Sequence, residues 1–335
     1  MEMRDVRVLE PRRLPLVPAV QGLPGEGLMD EKVLLVDGDN ILIRAVKAVE
    51  YGRSSMTAAD GTPTGPLLIF INSLSRYVSE VKPDRMVICW DHGPCLWRRA
   101  LYSGYKASRS YVADVVDPVG QEPELKTISR ALAREYCTFA GLSHVDRAGW
   151  EADDLIGAYW RLHNQALWDR VTILSNDKDF MQLLDAPTRQ VRVSSADTPT
   201  DVWDEFRVVT ERGCTPEQIP SVMALTGDAS DGVPGVRGIG PKTAVKLLKQ
   251  AGWDLDLIDS PRVAQERSAV RTYRRLVDLR TPPVDHNGFS LDVAPVSPFR
   301  PTLPGDVMYV HLTAFLERLG MNSVVERIQQ ATLWR

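Results

Sequence analysis

Three short apolar runs, each ending on an aspartate, constrain this chain more than any other feature. Lys32–Val36 (KVLLV) runs into Asp37-Gly38-Asp39-Asn40. Arg85–Trp90 (RMVICW) runs into Asp91, and Val171–Leu174 (VTIL) into Ser175-Asn176-Asp177-Lys178-Asp179. Residues 41–50, Leu67–Val81, Pro123–Ala140 and Trp150–Asn164 carry helical periodicity. Short apolar strands alternating with helices predict βαβ units and an α/β fold with a parallel sheet. Ligands of such open sheets bind beyond the carboxyl ends of the strands, so Asp37, Asp91 and Asp177 are delivered to the edge where chemistry takes place.

From about Glu205 the pattern changes to short helices separated by Gly, Pro and Asp turns. This predicts a small helical domain over 205–280 after an α/β core over 32–204. Residues 1–31, rich in proline and glycine, read as a mobile leader. A turn-rich linker (TPPVDHNG, 281–288) and closing helices occupy 281–335. A chain of 335 residues suits two or three domains. No apolar run approaches membrane-spanning length, and the N-terminus lacks the apolar core of a signal peptide. Cys89, Cys95, Cys137 and Cys214 form no CxxC pair or zinc spacing, and read as reduced, mostly buried thiols of a cytoplasmic protein.

The acids come in clusters. Glu151-Ala152-Asp153-Asp154 opens a helix, where one or two carboxylates would suit the dipole. Three in four residues exceed that need, and Glu151 and Asp154 share a face where they would repel without a cation. Asp177 and Asp179 repeat the problem at a strand end, and Asp228 and Asp231 in GDASD again lie three apart. So many carboxylates suit hard divalent cations, magnesium or manganese. Two such ions would activate a water and stabilise the leaving oxygen of a phosphodiester. Solvated surface acids are the alternative.

Gly235-Val236-Arg237-Gly238-Ile239-Gly240-Pro241-Lys242-Thr243 precedes an amphipathic helix. It is neither a P-loop, since Pro241 separates the last glycine from the lysine, nor a dinucleotide fingerprint, since no strand precedes it. It fits a helix–hairpin–helix turn, whose glycines let backbone N–H groups approach a phosphate while Lys242 and Lys246 add charge. A plain interhelical turn is the alternative. Trp97-Arg98-Arg99 and Tyr105-Lys106-Ala107-Ser108-Arg109 interleave basic and aromatic residues, as a single-strand binder would, or as a solvated face.

In order, LLVDGD, CWDHG, WRRALYSGYKASR, WEADD, SNDKDF and GDASDGVPGVRGIGPKTA resemble the motifs of the 5′ nucleases: flap endonucleases, phage 5′ exonucleases and the 5′-nuclease domain of bacterial DNA polymerase I. The resemblance spans residues 32–331. It implies a PIN-like, Rossmann-like nuclease core, a helical arch over about 98–125, and a helix–three-turn–helix domain. It further implies that Asp37, Asp91, Glu151 and Asp153 hold a first metal, and that Asp154, Asp177, Asp179, Asp228 and Asp231 serve a second. Lys106, Arg98 and Arg109 would contact the scissile phosphate or its neighbours. Gly235, Gly238, Gly240, Lys242, Thr243 and Lys246 would hold duplex DNA, with a potassium ion on the turn carbonyls.

The expected protein is therefore a monomeric, two-metal 5′–3′ exonuclease or flap endonuclease of a phage or bacterium. Its substrate would be DNA with a 5′ single strand or flap beside duplex, and the aromatic residues of the arch (Trp97, Tyr102, Tyr105, Tyr111) would stack its bases. The formal net charge of −4 becomes +5 once the nine candidate ligands are set aside, so it does not exclude DNA. Two departures stand out. Ile43 occupies a position that is usually aromatic in the family, so its stacking contact is lost or supplied elsewhere. Asp39 is an extra acid, read as a non-ligand. The competing classes are a non-catalytic DNA-binding homologue and a PIN-like ribonuclease.

Overall fold

The computed structural model describes residues 31–52, 56–107, 125–165, 170–194, 198–281, 291, 293–294, 296–330 and 333–334. The expected leader (apart from Glu31), Arg109, Tyr111, most of the arch and most of the linker lie outside the described residues.

Six strands form one sheet: β1 (Lys32–Asp37), β2 (Arg85–Trp90), β3 (His144–Asp146), β4 (Arg170–Leu174), β5 (Thr188–Arg192) and β6 (Asp201–Trp203). Their order is β3-β2-β1-β4-β5-β6, parallel except for antiparallel β6. The chain winds outward in one direction from β1 and in the other from β4. That reversal makes a crevice at the carboxyl ends of the two strands. The sheet is larger than the three apolar runs predict. HVD, TRQVR and DVW are short or polar, and hydrogen bonding to neighbours makes them strands where apolar pattern does not.

Alternate residues divide the sheet between two cores. Leu34, Val36, Met86, Ile88, Trp90 and Leu174 face one side. There they meet α1 (Gly38–Glu50), α2 (Gly65–Val81), α4 (Leu125–Phe139), α10 (Tyr309–Arg318) and α11 (Asn322–Gln329). Val33, Leu35, Val87, Cys89, Val171 and Ile173 face the other. That face carries α5 (Ala152–Gln165) and the helical region: α6 (Glu205–Arg212), α7 (Ile219–Thr226), α8 (Pro241–Gln250) and α9 (Pro261–Val277). Burial on both faces is why these strands read as unbroken apolar runs. A short α3 (Leu96–Leu101) follows β2.

The helical region has no separate core. Val208, Leu225, Val236, Ile239, Leu248, Val263 and Leu276 belong to the same apolar cluster as Val33 and Ile173. Polar bonds stitch the seam. Arg98 Nε donates to Leu276 O (2.8 Å), and the buried amide of Gln182 donates to Val277 O (2.9 Å) and accepts from Leu279 N (2.7 Å). All four cysteines are free and buried. No helix among the described residues is long and apolar enough to cross a membrane.

Candidate active site

The sequence Asp-Gly after β1 lets α1 start against the sheet. A Cβ on Gly38 would lie 2.7 Å from the Trp90 ring, so only glycine permits this approach. Asp37 then caps α1, accepting from Asn40 N (3.1 Å), while its other oxygen accepts from Ser175 Oγ (2.8 Å). Ser175, fully buried at the end of β4, also accepts from Asp177 N (3.0 Å). One hydroxyl therefore ties the acids of β1 and β4 together. Asp177 caps a 3₁₀ turn over Lys178–Leu183 by accepting from Asp179 N (2.9 Å).

After β2, Asp91 accepts from Ala152 N (2.8 Å) and docks the first turn of α5, which carries Asp153 and Asp154 and follows directly on Glu151. Glu151 meets Lys106 Nζ at 2.6 Å, Arg98 Nη1 at 2.7 Å and Tyr105 Oη at 2.8 Å. From the helical region, Asp231 accepts from Tyr105 Oη (3.1 Å) and lies 3.5 Å from Lys106 Nζ. Asp228 accepts from Ser230 N (2.9 Å) and Oγ (2.6 Å), and pairs with Lys178 Nζ (3.0 Å).

Electrostatics follow from this crowding. Burial, then the neighbouring Asp91, pushes the Asp37 carboxyl well above the ordinary range. Burial, Asp39 and Glu151 push Asp91 up to about 7. Burial and the carboxylates around them also raise Asp177 and Asp179. Burial opposes the charge on Glu151, but Arg98 and Lys106 outweigh it and hold the group below its ordinary value. Asp153 and Asp179 each keep one buried carboxylate oxygen without a hydrogen-bond partner, that of Asp153 lying 3.6 Å from Arg98 Nη1. Unbonded carboxylate oxygens in a cluster short of positive charge are a donor set that fits hard divalent cations.

The structure corrects several expectations. Arg98, expected on a phosphate, is 1% exposed and bound to Leu276 O, Glu151 and both oxygens of Asp154. Asp154, expected as a metal ligand, also receives Trp97 Nε1 (3.3 Å) and Glu151 N (3.2 Å), so protein donors occupy it. Cys95, Glu151 and Asp154 lie close enough together to hold an ion, yet Arg98 Nη1 already bonds all three. Trp97 and Tyr105 are buried, which removes them as base-stacking surfaces; Tyr102 packs edge-on against Tyr273.

Lys106 has a left-handed backbone (φ 47°), held by its amide on Asp231 O (2.8 Å) and its ammonium on Glu151. Such strain persists only where surrounding bonds enforce it, and it gathers at functional sites.

The glycine-rich turn joins α7 to α8. Asp228 and Val233 exchange both backbone bonds at 2.8 Å, and Val236 N donates to Leu225 O (2.8 Å). Gly235 has φ 65°, and a Cβ there would lie 2.3 Å from Gly227 N. A Cβ on Gly238 would lie 2.8 Å from Arg262 Nη1. At the start of α8, a Cβ on Gly240 would meet nothing within 4 Å, and Lys242, Thr243 and Lys246 are exposed.

Sequence reasoning missed the contributions of Ser175, Gln182 and Arg130. A buried serine, glutamine or helical arginine has no local pattern of its own, although Ser175 stands beside the recognised acids.

A parallel sheet with carboxylates at its switch point and a glycine-turned helical hairpin alongside places the chain in the class of nucleases. Residues 32–213 match the family described as "5′-3′ exonuclease, N-terminal resolvase-like domain", and residues 214–286 match "5′-3′ exonuclease, C-terminal SAM fold". The 5′-3′ exonuclease of Bacillus subtilis (strain 168) is 34% identical over 222 residues, 66% of this chain and 71% of that protein. DNA polymerase I of Rhizobium leguminosarum is 34% identical over 235 residues, 68% of this chain but only 21% of that polymerase. The protein belongs to the 5′–3′ exonuclease family and is a DNA nuclease, a phosphodiester hydrolase.

Solved structures share the fold. A bacteriophage T5 flap endonuclease with DNA and metal ions superposes with a TM-score of 0.59 at 17% identity, covering 90% of this chain and 98% of that one. Flap endonuclease-1 from Methanococcus jannaschii gives 0.56 at 16%, covering 92% of each. Family structures bind divalent metal ions, zinc on T5 5′-exonuclease among them.

Proposed function

We propose that this protein hydrolyses DNA next to a 5′ single strand or flap, using two divalent ions, magnesium or manganese, in the crevice between β1, β2 and β4. The observation that carries the reading is the convergence of Asp37, Asp91, Glu151, Asp153, Asp177, Asp179, Asp228 and Asp231 on that crevice. Several of them are raised by burial and mutual repulsion, and two keep buried oxygens without donors. Asp37, Asp91, Glu151 and Asp153 would hold one ion, and Asp177 and Asp179 the other, with Asp228 and Asp231 behind them. When bound, such ions supply activation of water and stabilisation of the leaving oxygen.

The chain's own residues divide the remaining work. Lys106 holds its ammonium among the acids, on Glu151 and near Asp231, and would exchange those partners for a phosphate entering the crevice. Arg98 and Asp154 buttress Glu151 from behind. The open N-terminus of α8, with Gly240, Lys242, Thr243 and Lys246, receives a duplex phosphate without reading sequence. A potassium ion on the turn carbonyls belongs to the same reading. The bacterial relatives support a cytoplasmic setting.

Cleavage of a labelled 5′ DNA flap on duplex, compared with single-stranded RNA of the same sequence in magnesium, tests this. The flap is expected to be cut at the junction, the RNA at least about 100-fold more slowly, and neither in chelator. Asp177→Asn is expected to bind the flap and leave it uncut. Turnover by that variant within about tenfold of the parent overturns the role of Asp177. Preferential cutting of RNA overturns the substrate.

A further inference from the structure

We propose that Asp39 and Arg130 are a positioning pair that clamps the backbone of Asp91 and aims its carboxylate into the crevice. The inference rests on the reading of Asp91 as a metal ligand and goes beyond it, because Asp39, though it stands inside LLVDGD, is read as a non-ligand, and Arg130 lies in none of the motifs.

Asp39 lies buried in the first turn of α1, and Arg130 comes from α4, which supplies none of the candidate ligands. Asp39 Oδ2 accepts from Asp91 N (2.7 Å), and its Oδ1 pairs with Arg130 Nε (3.0 Å). Arg130 Nη2 donates to the carbonyl of Asp91. One ion pair, assembled from two helices, thus takes up both main-chain polar groups of a single residue.

The next residue is fixed as well, since His92 N donates to Trp150 O (3.1 Å) and Gly149 N to His92 O (2.9 Å). With the backbone held and Oδ1 on Ala152 N (2.8 Å), the side chain has little freedom left. No donor among the described residues bonds Asp91 Oδ2. Asp39, by contrast, accepts from Asp91 N through Oδ2 and pairs in charge with Arg130 through Oδ1, so it serves Asp91 and is read as a non-ligand. Groups that orient a metal ligand typically change metal affinity 10–100-fold when removed.

The test is binding of manganese to the metal-free protein, followed by electron paramagnetic resonance of the free ion. Asp39→Ala is expected to weaken binding about 10–100-fold. Asp39→Asn keeps an amide oxygen for Asp91 N–H but turns its amide nitrogen toward Arg130, so it should lose clearly less than the Ala variant, roughly threefold to tenfold. Duplex DNA affinity in chelator should hold within about twofold for every variant, because the hairpin is untouched.

Parent-like manganese affinity in Asp39→Ala overturns the proposal. So does an Asn variant that falls as far as the Ala variant, since charge and not the bond to Asp91 would then matter. Should Asp39→Ala not fold, Asp39→Ala combined with Arg130→Met removes both charges together, leaves none unpaired, and carries the same expectation. Asp91→Ala separates the two layers of argument. If it binds manganese like the parent, the reading of Asp91 as a ligand fails and takes the clamp with it. If it loses manganese while Asp39→Ala keeps it, only the clamp fails.

Discussion

Asp91 illustrates what it costs to gather carboxylates before a cation arrives. Its carboxyl titrates at about 7 in the folded chain, against about 4 for an unfolded aspartate. Between those values the native state binds a proton that the unfolded state has lost, so this stabilising contribution disappears as pH rises toward and past 7. Asp91→Asn keeps an acceptor for Ala152 N and cannot ionise. In chelator its melting temperature should exceed the parent's at pH 8, with the difference shrinking below about pH 7. Added magnesium should raise the parent's melting temperature by more than the variant's, which keeps only the second ion's ligands intact. Thermal scans across pH with and without magnesium check both statements. Arg98 makes the opposite case, a cation consumed by structure. Arg98→Met leaves buried Asp154 without a cation and Glu151 with Lys106 alone, so stability should fall by about 3–5 kcal/mol in urea unfolding while DNA affinity in chelator stays level. A loss of DNA affinity without loss of stability would restore Arg98 to the phosphate.

At the scale of elements, the turn between α7 and α8 assigns different work to its glycines. Gly235 is needed because φ is 65° and Gly227 presses against it; Gly235→Ala should destabilise the protein by about 2 kcal/mol or more in denaturant titration. Gly240 has an ordinary φ of −92° and open space around it, so Gly240→Ala should leave stability level and weaken duplex binding, its methyl standing where a phosphate approaches. Lys242→Ala should weaken binding to all duplex sequences alike and lower the salt slope by about 1. Fluorescence titrations over a salt series measure both binding effects, and an unchanged slope would place Lys242 away from the phosphates. Gly104 and Lys106, at the start of the expected arch, abut Gly232 and Asp231, so the hairpin proposed to hold duplex also sets the backbone of Lys106.

The whole molecule is organised by a sheet with two dissimilar coverings, and the covering that carries the hairpin shares its core with β1 and β4. A fragment ending at Gly213 would lose α7 from the 3₁₀ turn, α9 from α3 and α10 from α4, exposing apolar residues of both coverings. It should bind a hydrophobic dye and lack a near-ultraviolet dichroism signal, whereas the full chain shows fixed tertiary packing. A fragment with native near-ultraviolet dichroism would show that the sheet layer folds alone. Local pattern was enough for β1, β2, β4 and most of the longer helices, because double burial writes a continuous apolar run and amphipathic burial writes a 3.6-residue period. It also marked the acids that the fold gathers, since carboxylates placed next to one another in sequence, or at strand ends, announce a conflict of like charges. Strands β3, β5 and β6 were not legible, as their pairing is decided by neighbours far along the chain. Nor were the fates of Arg98, Trp97, Tyr105 and Asp154. All four carry the charge or aromaticity of substrate-binding groups, but packing α3 and the first turn of α5 against α9 turned them inward, where burial demanded that each polar atom find a partner within the protein.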